Sequence, residues 1–535
     1  MSTVDGRYTI VFNGEIYNYR ELQKELRADG TVFNSDSDTE VLLKLYARDG
    51  CEMLSRLEGM YAFVIWDEVE QTCFLARDPL GIKPLYYRYR DGQLAFASEL
   101  RCLLDSNLGP KTLDDRSVAE YLLFGSFPET GTIIAEIQSL PAGHKMFWSK
   151  GEILIESFWK PKFGSQPISR DDALQVTRDA LNDSVRRHLV SDVPVGIFLS
   201  GGIDSSALVA LAQANGTRDI QTFCISFEEQ EYNEGELAAR TAAHFGTIHH
   251  DWRLTASDGK KLVKEFLSAV DSPSNDGFNT YCVAKFAKES GMKVVLSGLG
   301  GDELFGSYPS FQNVPRILNL WKRLRGLGDG KKVVGRLLEK FAGNSKMQRL
   351  GMYLQSDGGP LAAYWTMRGF FTPREAALLL RDYLGHDVGF DVAELLRETL
   401  PSLPTVQDTV SYLESTRYMR QQLLRDSDVF SMAHGLELRV PFVDRKLFDA
   451  INAIPAAMRL ESGKRLLCDA VPSLPEWVIN APKRGFRFPF EDWVNAQWKD
   501  EFADLQRRSP VRLGSWYRKW TLFTLEHFLT VHGIT

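Results

Sequence analysis

VPVGIFLSGGIDSSALVALAQ (residues 193–213) decides the fold of most of this 535-residue chain. The apolar run VGIFL ends in Ser200-Gly201-Gly202-Ile203-Asp204-Ser205-Ser206, and a helical pattern follows. A strand covered on both faces reads as a continuous apolar run, so this one predicts a parallel sheet wrapped by helices. Two glycines let the backbone approach an anion. Small hydroxyl residues fall at a helix start, where free N–H groups and the macrodipole favour negative charge. The stretch therefore reads as a phosphate cradle, with a simple capped helix start as the rival reading. Neither GxxxxGK[ST] nor GxGxxG occurs, which argues against a Walker loop and against a dinucleotide fingerprint.

QTFCISF and MKVVLSG continue the same pattern downstream. The second of these leads into VVLSGLGGDELFGSY (residues 294–308), where glycines precede Asp302 and Glu303. In an open parallel sheet the ligand sits beyond the carboxyl ends of the strands, which brings this loop to the first one. Asp204 and Asp302 are then candidate oxygen ligands for a Mg²⁺ that also binds phosphate. Negative charge building on a departing pyrophosphate calls for cations. Lys464 in ESGKRLL and Lys483 in NAPKRGFRF are the candidates, with surface lysine as the alternative.

Residues 1–159 read differently, as short strands and turns that predict a sheet-rich α+β domain. In VFNGEIYNYREL (residues 11–22) a buried strand is expected to end in a polar turn at Asn13-Gly14-Glu15. Ser37 and Glu40 have capping-box spacing ahead of a helical apolar stripe. KPKFGSQPISRDD (residues 160–172) has no apolar period and carries helix breakers, so it is the expected linker, with a second domain over residues 173–535. From about Val314 onward the pattern is mostly helical. RLRGLGDGKK (residues 323–332) reads as an exposed basic loop, a solvated turn.

A formal net charge of −7 predicts no nucleic-acid partner and no general attraction to anionic membrane. The six cysteines form no CxxC pair, the usage of a reducing compartment. With no signal-peptide pattern and no apolar run near 18 residues, a cytoplasmic protein is expected.

SGGxDS at a strand-to-helix junction resembles the PP-loop of the ATP pyrophosphatase group. FNGEIYN, SDTEVLL, RLEGMYAFVIWD, LARDPLGIKPLYY, FASE, LSGGIDSS, SGLGGDELFGSY, SMAHGLELRVPFVD and PKRGFRFP together resemble the glutamine-hydrolysing asparagine synthetases. The resemblance implies an Ntn-hydrolase-like sandwich, incomplete at its N-terminus, followed by an α/β parallel-sheet PP-loop domain with a helical C-terminal part. It implies ATP and Mg²⁺, ammonia from glutamine or free, aspartate as acceptor through an acyl adenylate, and a homodimer. Leu199 and Ile225 then line the adenine site, Ser297 and Gly298 the nucleotide-contacting turn, and Ser200, Gly201, Gly202, Asp204, Ser205 and Ser206 the pyrophosphate loop. Asn13 and Gly14 match an oxyanion-hole pair, and Glu15 and Asp38 match groups that hold the glutamine amine.

The chain departs from that pattern twice. The family's nucleophile is an N-terminal cysteine, whereas this sequence begins Met1-Ser2-Thr3 and has no cysteine ahead of Asn13, so an inactive glutaminase step is expected in the chain as given, through either a misassigned or truncated start or the use of free ammonia or a separate source. Leu299 stands where asparagine-forming members often carry a Glu, which leaves open another carboxylate acceptor, such as a uronic acid sugar or a peptide precursor. A non-catalytic nucleotide-binding remnant is the third reading, and the intact glycines and acids argue against it.

Overall fold

The computed structural model describes residues 1–164, 166–326, 329–342, 344–482 and 488–534. Its N-terminal part is built on two antiparallel sheets. β1 (Tyr8–Ile16), β2 (Gly59–Asp67) and β3 (Thr72–Arg77) are followed by β4 (Tyr86–Arg90), β5 (Gln93–Ala97), β6 (Ile137–Ser139), β7 (His144–Ser149) and β8 (Glu152–Ser157). The strand orders are β1-β2-β3-β7-β8 and β5-β4-β6. β2 shows why the sheets stack: it is apolar on both faces, and successive side chains of a strand point to opposite sides. Tyr61, Phe63 and Ile65 pack against the helices Tyr19–Ala28 and Asp38–Asp49. Ala62 and Val64 instead pack with Tyr87 of the second sheet and with Leu85 just before it. Tyr86, on the far side of that second sheet, joins Leu103 and Val118 of the next helices, which completes a helix-sheet-sheet-helix sandwich.

Two local expectations need correction. Asn13-Gly14-Glu15 is no turn: it lies inside β1, in antiparallel register with Ala62, Tyr61 and Met60. The polar letters suggested a break, but a strand tolerates them where its side chains find polar partners, as Asn13 does with Ser98 and Glu15 with Arg439. The capping box does not form either. Ser37 accepts from the Thr39 N–H, while Glu40 turns back to the N–H groups of Asn34 and Ser35.

The second part is a five-stranded parallel sheet of β9 (Val195–Phe198), β10 (Gln221–Phe227), β11 (Ile248–Leu254), β12 (Val294–Leu296) and β13 (Glu437–Arg439), in the order β11-β10-β9-β12-β13. β11 and β13 escaped the sequence reading because IHHDWRL is mostly polar and ELR is three residues long. The helix Arg170–His188 and the helix Ile203–Ala214 cover one face, and the helix Phe278–Glu289 covers the other. Helices dominate from Pro309 onward, and their largest core surrounds Phe266, Trp365, Trp493 and Trp520. Residues 406–432 run as successive helical segments, with Glu414–Leu424 in π conformation.

Buried ion pairs fasten the two parts. Lys83, just before β4, meets Asp428 at 2.7 Å. Arg187 reaches Glu58 at 3.2 Å and Asp444 at 2.9 Å. Breaking a buried pair by removing one partner leaves an uncompensated charge, which costs about 3–5 kcal/mol. Lys83→Met is therefore expected to lower the urea midpoint markedly, and Lys83→Met with Asp428→Leu to recover most of the loss. Equal midpoints for wild type and Lys83→Met would remove this account.

Candidate active site

β9 lies between β10 and β12, so connections leave it in opposite directions and a crevice opens at its carboxyl end. The loops after β9 and β12 meet there. A Cβ placed on Gly298 would lie 3.0 Å from the Asp204 Cβ, and one on Gly201 would lie 2.8 Å from the Ala238 backbone nitrogen. Gly201 also has φ +76°, a conformation a side chain would strain. Glycine is required by both space and conformation at this turn.

The crevice opens into a cavity of about 820 Å³. Leu199, Ser200, Gly202, Asp204, Ser205, Ile225, Ser297, Gly298, Asp302 and Lys464 line it. Gly201 and Ser206 stand behind that wall, and Ser206 is fully buried. Ser205 Oγ lies 3.2 Å from Ser200 Oγ and bonds back to the Gly202 carbonyl, so the loop holds its own shape. Lys483 lies outside the described residues.

Lys464 Nζ bridges the carboxylates of Asp204 and Asp302. It caps the helix Arg465–Ala470 from a left-handed conformation, φ +53°, which is uncommon for a residue with a side chain and marks a position fixed by its surroundings. Burial works against the ammonium charge, but the attraction of Asp204 and Asp302 outweighs it and holds the Lys464 pKa above the ordinary value. Two carboxylates converging on one cation also make an oxygen set suited to Mg²⁺, which binds one or two carboxylates and takes its other ligands from phosphate and water. Among the described residues no cluster of three His, Cys, Asp or Glu is placed to hold a metal.

Glu303, the neighbour of Asp302, is buried beneath this site and accepts from the Tyr308 hydroxyl at 2.9 Å. Burial, reinforced by the Asp302 charge, pushes its carboxyl up to about 8. Leu299 also lines the cavity and packs at the edge of the apolar core.

Asp276 and Arg240 are among the cavity residues that escaped the sequence reading. Asp276 lines the wall, and burial with the nearby Asp426 charge raises its carboxyl to about 6. Arg240 also lines it, with its guanidinium 4.0 Å from the Trp477 ring centre. The Asp-Gly pair at 276–277 was the one available signal for the first, while nothing distinguishes Arg240 from a surface cation in sequence.

A second polar cradle lies in the N-terminal part. Asn13 Nδ2 donates to Ser98 Oγ at 3.1 Å. Gly14 has φ +148°, and a Cβ there would sit 2.1 Å from the Met60 carbonyl oxygen. Asp38 Oδ2 accepts from the Ile16 N–H at 3.1 Å. Burial pushes Glu15 up to about 7, opposed by Arg439 and assisted by Asp38, and burial raises Asp38 as well. Both carboxyls have less compensating charge than water would give them, so a ligand ammonium would lower both pKa values.

Comparison with known proteins agrees with this architecture. The asparagine synthase family model matches residues 176–526, and a glutamine amidotransferase domain model matches residues 1–159. Asparagine synthetase [glutamine-hydrolyzing] 1 of Bacillus subtilis is 35% identical over 96% of this chain and 80% of its own. Asparagine synthetase [glutamine-hydrolyzing] 3 of the same organism is 30% identical over 85% of this chain and 71% of its own. Amidase chry2 of Gibberella zeae is 26% identical over 94% and 80%. A parallel sheet whose SGGIDSS loop meets the GGDE turn across β9, matched along most of its length, places this chain in the asparagine synthase family.

Proposed function

We propose that the chain uses Mg-ATP to activate a carboxylate as an acyl adenylate, which ammonia then displaces to give an amide, AMP and pyrophosphate. The observation that carries this is the bridge from Lys464 to Asp204 and Asp302, set where the phosphate-binding loop meets the second turn. Adenylation replaces oxide, a poor leaving group, with AMP, so an amine can complete the substitution. The backbone N–H groups after Ser200 and the Lys464 ammonium face the charge that grows on pyrophosphate as its bond to the α-phosphorus breaks. A bound Mg²⁺, held by Asp204 and Asp302, would add charge neutralisation at the phosphates. A proton on Glu303 at neutral pH keeps a third negative charge from repelling the triphosphate.

Aspartate is the acceptor on this reading, by analogy with the named synthetases. Leu299 supports a second reading, in which the acceptor is another carboxylate, because its apolar side chain cannot move a proton during ammonia attack. The relative named amidase chry2 shares the fold family while carrying a different activity in its name. Nitrogen on this reading is ammonia, free or released from glutamine.

Incubation with ATP, Mg²⁺, ammonium and aspartate should yield AMP and pyrophosphate in an aspartate-dependent manner. Activity with a sugar acid or peptide carboxylate alone would instead establish the second reading. Asp204→Ala and Lys464→Met should each lower the ammonia-driven rate by about 100-fold or more. Rates equal to wild type in either variant would undo the site.

Glu303 gives a pH test. Its folded pKa lies above the unfolded value, so between about 4.5 and about 8 the folded state binds more protons and stability falls as pH rises. Glu303→Gln removes that loss. Its Tm relative to wild type should climb from pH 5 to pH 8.5, by the equivalent of roughly a few kcal/mol; a constant offset across that range would mean Glu303 ionises normally.

A further inference from the structure

The helical hairpin built on Asp329–Phe341 and Ser345–Gln355 takes no part in the site above. On the first helix Gly335 faces inward: a Cβ there would lie 2.6 Å from the Gly351 carbonyl oxygen. The opposite face is unusual. Val333, Leu337 and Phe341 follow one another at four-residue spacing, which puts them in one row along the helix. They are 52%, 54% and 71% exposed. Alongside them runs a second row at the same spacing, Lys332, Arg336 and Lys340, which is also exposed.

The charge around this ridge is concentrated. Residues 322–349 contain nine Lys and Arg against Asp329 and Glu339, a balance of +7, in a chain whose formal net charge is −7. The two acids are occupied locally, Asp329 with Lys332 at 3.1 Å and Glu339 with Gln355 at 2.7 Å. The flanking helices Pro309–Arg325 and Ser345–Gln355 carry no acid at all. Of the segment read from sequence as a solvated basic turn, residues 323–325 end the helix Pro309–Arg325 and residues 329–332 open the first helix of the hairpin; the whole-chain charge conceals this local excess of cations.

We propose that this hairpin docks the enzyme on an anionic lipid surface. A ridge of apolar side chains bordered by cations suits the boundary between headgroups and acyl chains, where the apolar row enters to about 5–10 Å and the cations meet lipid phosphates. A protein partner fits less well. Three or four side chains on one convex helix fall short of the roughly 800 Å² a side that a stable protein interface buries. No described helix is long and apolar enough to cross a membrane, so the attachment is peripheral. Its strength depends on both the lipid charge and the apolar row.

The test is flotation of the full chain with vesicles of phosphatidylcholine alone and with about one third phosphatidylglycerol, a fraction chosen to give a strongly negative surface. Binding is expected to the anionic vesicles only and to weaken in high salt. R336E/K340E should lower partitioning roughly thirtyfold or more, and L337S/F341S should lower it at least tenfold. Far-UV circular dichroism and the ammonia-driven rate in solution should match wild type in both variants. Equal binding to neutral and anionic vesicles, or unchanged partitioning in either variant, overturns the proposal. So does a wild-type dimer in sedimentation velocity that L337S/F341S converts to monomer, which would assign the ridge to a second copy of the chain.

Discussion

The placement of β9 at the centre of the parallel sheet is the constraint on which the rest of the molecule depends. Because β10 and β12 both pair with it, the chain must leave its carboxyl end in one direction and return from the other. The two loops that meet there have to pass at backbone contact distance. Glycine at 298 is what permits this, since a Cβ there would lie 3.0 Å from the Asp204 Cβ, while glycine at 201 leaves room for the Ala238 backbone on the other side of the loop. Once the loops touch, Asp204 and Asp302 are brought close enough for one ammonium to bridge them. Lys464, some 160 residues farther along the chain, adopts a left-handed backbone to supply it.

Charge is handled by arrangement rather than by exposure to water. Arg459 and Asp408 are both fully buried and joined at 2.7 Å. Glu414, equally buried, accepts from Arg368 at 2.7 Å and from the Tyr364 hydroxyl at 3.1 Å. The Arg368 guanidinium also stacks 4.3 Å from the centre of the Tyr308 ring, whose hydroxyl serves Glu303. Burial of a charge is tolerated only where its remaining hydrogen-bonding capacity is met. In this network each acid has a cation or a hydroxyl, and Glu303, which has the Tyr308 hydroxyl and no ion-pair partner among the described residues and lies beside Asp302, is driven toward its neutral form. The site's proton inventory therefore follows from which acids were given partners.

Much of this was legible from the sequence, for identifiable reasons. Buried parallel strands leave continuous apolar runs, so β9, β10 and β12 were readable, and the glycine loops after them carry their spacing openly. The N-terminal strands alternate between two apolar faces and were equally plain. β11 escaped because an edge strand needs only one covered face and IHHDWRL shows no strong pattern. β13 is three residues long, below the length at which any period exists. The FNGE segment was misread because Asn and Gly are the letters of a turn, and only the pairing with β2 reveals that they sit in a strand. Asp276 and Arg240 could not have been found by spacing, since their place in the cavity is fixed by tertiary packing alone.

That short strand β13 is also where the two polar cradles come into one frame. The Arg439 carbonyl accepts from the Ser297 N–H at 2.9 Å, which fixes the start of the turn leading to Asp302. The Arg439 guanidinium, 2% exposed, reaches Glu15 of β1 at 3.7 Å and donates to the His188 carbonyl at 2.9 Å. Arg439 is therefore bonded to both halves at once, through its backbone on one side and its side chain on the other. A lysine could not reproduce this, because the planar fork serves Glu437, the His188 carbonyl and Glu15 in different directions while remaining charged. Arg439 thus links Glu15 directly to the turn leading to Asp302, and with the Lys83–Asp428 and Arg187–Glu58 pairs it ties the two halves together across the long chain between them.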